Sequence, residues 1–129
     1  MHIAILGMGK MGRNLAKKLM LEGHHVIAWN RSREILEQMR LDNAEFINNG
    51  KFQVVHSLEE LREKFARPRI IWVMLPAGDV TADILQELQD EVIEPGDILI
   101  DGGNAHYTDT QERYEKFEQK GIKFLGLGV

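Results

Sequence analysis

Three glycines in the run Gly7-Met8-Gly9-Lys10-Met11-Gly12 directly follow a short apolar stretch at 3–6 and directly precede an amphipathic one. Between a strand and a helix, such a run can do one kind of chemistry well. The first glycine makes a tight turn, the second lets backbone approach a pyrophosphate, and the third lets the helix pack against the strand. The helix N-terminus then offers free N–H groups and a favourable dipole to the phosphates. The chemistry implied is dinucleotide binding through Gly7, Met8, Gly9, Lys10, Met11 and Gly12; a tight turn with no ligand is the competing reading.

A second group, Asn30-Arg31-Ser32, follows the second apolar run at 26–29. An Asp or Glu at this place accepts hydrogen bonds from the ribose hydroxyls of NAD. No acid is present. Arg31 can instead pair bidentately with a 2′-phosphate while Asn30 and Ser32 donate to its oxygens, which favours NADP and leaves NAD as the second candidate. The alternative is that Asn30 and Ser32 cap the next helix and Arg31 is a solvated charge. Two further segments follow the fourth and fifth apolar runs. Leu75, Pro76 and Ala77, with Gly78, can wall the cofactor path, or Pro76 can simply stop a strand. In Asp101-Gly102-Gly103-Asn104 the glycines permit close approach, and Asn104 offers a donor and an acceptor to a ribose or substrate hydroxyl; a turn ordered by Asn104 is the alternative.

These four segments need a scaffold that brings strand ends together, and the chain's periodicity supplies one. Apolar runs at 3–6, 26–29, 53–55, 70–74, 98–100 and 123–125 alternate with helical segments. Several runs lack polar alternation, as strands covered on both faces do, and the long crossovers between them suit parallel pairing. The reading is an α/β fold of the Rossmann type, doubly wound around a mainly parallel six-stranded sheet, forming one domain over 1–129. The first helix is expected over 10–22, with Met11, Leu15, Leu19 and Met20 on one stripe and Gly23 closing it. Capping boxes are expected at Ser57/Glu60 and Thr108/Gln111. Asp79 is expected to begin a helix with Val80, Ile84 and Leu88 on one face, and Pro95-Gly96 to turn the chain into the fifth strand. The polar segment 42–52, with Asn48-Asn49-Gly50, reads as a loop.

Composition narrows the functions left. The 129 residues suffice for a core without disulfides or a structural metal, and there are no cysteines to supply disulfides, thiolate ligands or a thiol nucleophile. A formal charge of -4 gives no reason to expect nucleic acid or membrane as partner. No signal or membrane segment is visible, and the cytoplasm is the expected compartment. His106 has no visible partner, and His24-His25 supplies too few ligands for a metal. The run 112–120 mixes charge signs and reads as a solvated helix face.

Taken together, Gly7-Met8-Gly9-Lys10-Met11-Gly12-Arg13-Asn14-Leu15-Ala16, Asn30-Arg31-Ser32, Val73-Met74-Leu75-Pro76-Ala77-Gly78 and Asp97-Ile98-Leu99-Ile100-Asp101-Gly102-Gly103-Asn104, with Tyr107 and Asp109-Thr110, resemble the N-terminal domain of decarboxylating 6-phosphogluconate dehydrogenases. The likeness implies a cofactor site at the glycine turn, at Asn30, Arg31 and Ser32, and at Leu75, Pro76 and Ala77, with Asn104 touching both cofactor and 6-phosphogluconate. Pro76 stands where the long, NADP-linked members usually carry Lys; Pro-Ala-Gly resembles the shorter members, some of which use NAD. In the family a Lys and a Glu serve as base and acid beyond a Ser-Gly-Gly segment, and a large helical domain completes the site and the homo-oligomer. None of the 129 residues corresponds to that base or acid. The expectation is therefore a cofactor domain, inactive alone, without its family's C-terminal helical domain. Another β-hydroxyacid dehydrogenase, of 3-hydroxyisobutyrate or tartronate semialdehyde type, and a non-catalytic nucleotide-binding module are the alternatives.

Overall fold

Strand runs that are apolar throughout must be covered on both sides, and the structure covers them. It is a computed structural model that describes residues 2–64, 69–75, 79–102, 115, 118, 119 and 121–126, without the side chains of 79–82, 101 and 124–126. The order is β1 (His2–Leu6), α1 (Lys10–Leu21), β2 (His25–Trp29), α2 (Arg33–Asp42), α3 (Ala44–Asn48), β3 (Phe52–Val54), α4 (Glu60–Lys64), β4 (Ile70–Val73), α5 (Asp79–Glu91), β5 (Ile98–Asp101) and β6 (Lys123–Gly126). The sheet runs β3-β2-β1-β4-β5-β6, and each neighbouring pair is parallel. The chain thus winds outward from β1 to β3, then returns to the other side of β1 and winds the opposite way.

Alternate residues of β1, β2 and β4 feed separate cores. Ile3, Ile5, Val26 and Ala28 pack with Ala16 and Met20 of α1 and Leu36 and Met39 of α2. Ala4, Leu6, Ile27, Ile71, Val73 and Leu99 pack with Leu61 of α4 and Ile84, Leu85 and Leu88 of α5. Helices therefore lie on both faces, as parallel crossovers demand.

Three local expectations change. The buried seam of α1 is Gly12, Ala16 and Met20, spaced by four, with Leu15 and Leu19 half-buried beside it. Met11 points outward, 70% exposed. The segment 42–52 is not wholly a loop, because Ala44–Asn48 closes one short helix between Asn43 and the Lys51 N–H, which bonds the Phe46 carbonyl at 2.8 Å. The Ser57/Glu60 pair does meet: Glu60 Oε1 accepts the His56 N–H at 3.2 Å and the Ser57 hydroxyl at 3.4 Å. Helix α4 nevertheless begins at Glu60. Thr108, Gln111, His106 and the side chain of Val80 lie outside the described residues.

At the amino ends of the strands the His2 and His25 rings stack, with centroids 4.5 Å apart and planes at 15°. Partial burial, then the nearby His25 and the chain's amino group, lowers the His2 pKa from 6.5. Above 6.5 the ring is neutral folded or unfolded, and the stack costs nothing. Below it the unfolded chain takes up a proton that the folded one resists, so stability falls until the pH passes the lowered folded value. Because His2 is exposed the effect is small. The drop in Tm between pH 7.5 and pH 5 is expected to shrink by about 1–2 °C in His2→Gln, and equal drops in both proteins would contradict this origin.

Candidate cofactor site

The carboxyl ends of four strands stand level. Leu6 is in register with Trp29 on one side and Val73 on the other, and Val73 with Asp101. The ladder continues one residue past β1, β4 and β5: Gly7 N–H bonds the Trp29 carbonyl at 2.8 Å, Met74 N–H the Leu6 carbonyl at 2.7 Å, and Gly102 N–H the Val73 carbonyl at 2.8 Å. The turns leaving these three strands are therefore anchored at their first peptide. The winding direction reverses between β1 and β4, and at such a switch point the diverging connections leave a crevice for ligands.

The glycine turn divides into an inner and an outer half. Gly7, Met8 and Gly12 are buried, whereas Gly9, Lys10 and Met11 are exposed. Gly7 has φ +103°, a conformation that L side chains rarely adopt, and a Cβ there would also press on the Met74 carbonyl. A Cβ on Gly12 would fall onto the Gly7 carbonyl oxygen. At Gly9 nothing among the described residues stands within 4 Å of the place a Cβ would take. Gly9 is the N-cap of α1, no side chain caps the helix, and its first turn holds no acid. The N–H groups that lack intrahelical acceptors at a helix start are thus left to an outside acceptor, and the space over Gly9 admits one. These features fit a pyrophosphate.

The other expected site residues are placed unevenly. Asn30 and Ser32 are half-buried, and Arg31 between them is exposed, with no hydrogen bond or ion pair among the described residues. Ser32 occupies the N-cap of α2 but makes no side-chain cap bond, so the capping alternative fails for its hydroxyl. Asn30 caps nothing either. Its Oδ1 accepts the Met8 N–H at 3.0 Å and its Nδ2 faces the Ser32 carbonyl at 3.4 Å. The Met8 side chain is fully buried against β1, β2 and the helices α1 and α2. Leu75 follows β4 and is buried next to Gly7. Pro76, Ala77 and Asn104 lie outside the described residues, as do Gly78 and Gly103.

Two features were not read from the sequence. One is the bond from Met8 to Asn30, for which a turn amide opposite an Asx residue at a strand end was the available signal. The other is the filling beside Gly102, where a Cβ would meet the Met74 sulfur at 2.5 Å and the Trp72 indole nitrogen at 2.9 Å. A large side chain in a strand beside a glycine in its neighbour could have suggested it. Among the described residues no cluster of side chains is suited to a metal, and no helix is long and apolar enough to cross a membrane.

Parallel strands with helices on both faces, and a glycine turn opening onto an uncapped helix start at the switch point, define a dinucleotide-binding domain of the Rossmann class. The chain matches the family described as the NAD binding domain of 6-phosphogluconate dehydrogenase over residues 2–129, and it belongs to that family. It is 32% identical over 127 residues to a Bacillus subtilis protein described as "6-phosphogluconate dehydrogenase, NAD(+)-dependent, decarboxylating", covering 98% of this chain and 26% of that protein. It is 37% identical to the decarboxylating 6-phosphogluconate dehydrogenase of Chlamydia muridarum, with the same coverage, 98% and 26%. Among solved structures, Plasmodium falciparum 6-phosphogluconate dehydrogenase, described as apo and in complex with NADP+ and with 6-phosphogluconate, superposes with a TM-score of 0.85 at 26% identity, over 98% of this chain and 27% of that one. The chain thus spans about a quarter of the length of these relatives.

Proposed function

We propose that residues 1–129 form the NADP-binding domain of a decarboxylating 6-phosphogluconate dehydrogenase that turns 6-phosphogluconate into ribulose 5-phosphate. The observation that carries this reading is the uncapped start of α1 facing open space at Gly9, in a chain of this family. When bound, the nicotinamide supplies the hydride acceptor. The residues of this chain hold it: the amides at the start of α1 take the pyrophosphate, and exposed Lys10 and Met11 border it. Leu75, with Pro76 and Ala77, walls the crevice, and Asn104 reaches both cofactor and substrate. Acid and base come from a helical domain that also builds the homo-oligomer, so residues 1–129 alone bind cofactor and do not turn over 6-phosphogluconate. The setting is cytoplasmic.

Arg31 decides between the cofactors. It projects from the level of the β2 end with no described partner, and β2 ends without a carboxylate to repel a 2′-phosphate. A bidentate guanidinium–phosphate pair in a partly solvated site contributes about 1.5–3 kcal/mol, roughly 10- to 100-fold in affinity. Titration calorimetry is expected to show NADP bound more tightly than NAD, and Arg31→Ala to remove that factor for NADP while leaving NAD unchanged. Equal affinities in the parent would reject the NADP preference. NAD is the second reading, favoured by the description of the Bacillus subtilis relative as NAD(+)-dependent.

A further inference from the structure

A residue expected to touch cofactor has its polar atoms turned toward the protein. The glycine turn has two successive amides that face β2. Gly7 N–H is satisfied by the Trp29 carbonyl, continuing the β1–β2 ladder. One residue on, the ladder continues through a side chain, because Met8 N–H donates to Asn30 Oδ1 at 3.0 Å in a part-buried position. The donor is a backbone amide, so the assignment of oxygen and nitrogen in the Asn30 side chain is fixed by chemistry. The Nδ2 group then points to the Ser32 carbonyl. One side chain thus grips the turn with its oxygen and the segment displaying Arg31 with its nitrogen.

We infer that Asn30 is a positioning residue: by accepting the Met8 N–H it fixes the Gly7–Met8 peptide, one residue ahead of Gly9, and so aims the α1 amides that hold the pyrophosphate common to NADP and NAD. This rests on the cofactor reading above. It differs from that reading in its consequence for specificity, because a residue that aims pyrophosphate-binding amides serves both cofactors alike. Only Arg31 then discriminates between them. Asn supplies what the position requires, an acceptor on one side and a donor on the other. Ala supplies neither; Asp keeps the acceptor and places a charge near a 2′-phosphate.

The test combines amide hydrogen exchange at Met8 with calorimetric titration of NADP and NAD, on the full chain and its variants. Asn30→Ala is expected to speed Met8 exchange about tenfold or more and to lower the affinity for both nucleotides by the same factor, about ten. Asn30→Asp is expected to restore slow exchange and NAD binding while NADP stays weak. Unchanged Met8 exchange in Asn30→Ala, or a loss confined to NADP, overturns the inference and leaves Asn30 a phosphate ligand. Should Asn30→Ala fail to fold, Asn30→Asp decides: slow Met8 exchange with NAD binding retained supports the role, and fast exchange ends it. A parent that binds neither nucleotide refutes the proposed function, and the Met8 exchange rates still decide the brace.

Discussion

Gly12→Ala is expected to destabilise the chain by about 1–3 kcal/mol and to weaken cofactor binding by roughly 100-fold, whereas Gly9→Ala should weaken binding with little change in stability. The difference follows from what an added methyl meets. At Gly12 it lands on the Gly7 carbonyl oxygen, a backbone atom with nowhere to go, because Gly7 is backed by the Met74 carbonyl. Either α1 lifts from β1, opening the seam at Ala16 and Met20, or the Gly7–Met8 peptide rotates and loses the bond from the Met8 N–H to Asn30 Oδ1. Both responses displace the N–H groups at the helix start. A displacement near 1 Å suffices for about two orders of magnitude in a site that depends on geometry. At Gly9 the backbone has φ -69° and the methyl enters open space, so the fold should tolerate it. That space is where the pyrophosphate must come. Denaturant midpoints and NADP titration separate the two variants; equal stability of Gly12→Ala and the parent would show that the close approach is not needed.

The same contrast explains why the glycine turn was legible in the sequence and its surroundings less so. Strand, three glycines and helix are consecutive in the chain, so local pattern sufficed to place them. Of the expected α1 stripe, Met20 is buried and Leu15 and Leu19 pack against the core, but Met11 is exposed: counting apolar residues favours it, while the positions nearest the sheet are Gly12 and Ala16, small because the helix lies close there. Helix α3 was hidden by polar composition: it is one turn long, buries no residue fully, and is closed by backbone bonds that propensity does not report. Arg31 could be singled out from its place after β2, but the use of Asn30 could not. Its partner, Met8, is 22 residues earlier, and only the parallel register of β1 with β2 brings them together.

Asp97→Ala is expected to lower stability by about 3–5 kcal/mol, a large share of the roughly 5–15 kcal/mol available to a domain, and to lower Tm by about 10–20 °C. Sequence placed Asp97 at the foot of β5 after a Pro-Gly turn, and the structure shows why an acid stands there. Fully buried, its Oδ1 accepts the Arg69 N–H at 2.8 Å. Its Oδ2 accepts the Glu94 N–H at 2.9 Å and the buried Arg69 guanidinium at 3.4 Å. Gly96, at φ +95°, closes the turn in which Asp97 N–H bonds the Glu94 carbonyl. One carboxylate thereby fastens the start of β4 to the start of β5, the two strands whose far ends carry Leu75 and Gly102. Alanine would remove this acceptor from two backbone amides and this counter-charge from a buried guanidinium, a loss that water cannot make good. Asp97→Asn keeps one acceptor oxygen but gives up the charge and turns an N–H₂ group toward one of the donors, so an intermediate loss is expected. The site lies at the opposite ends of the strands, and the folded Asn variant should therefore bind NADP as the parent does. A variant that kept the parent's Tm but lost cofactor would contradict this and move Asp97 from the scaffold into the site.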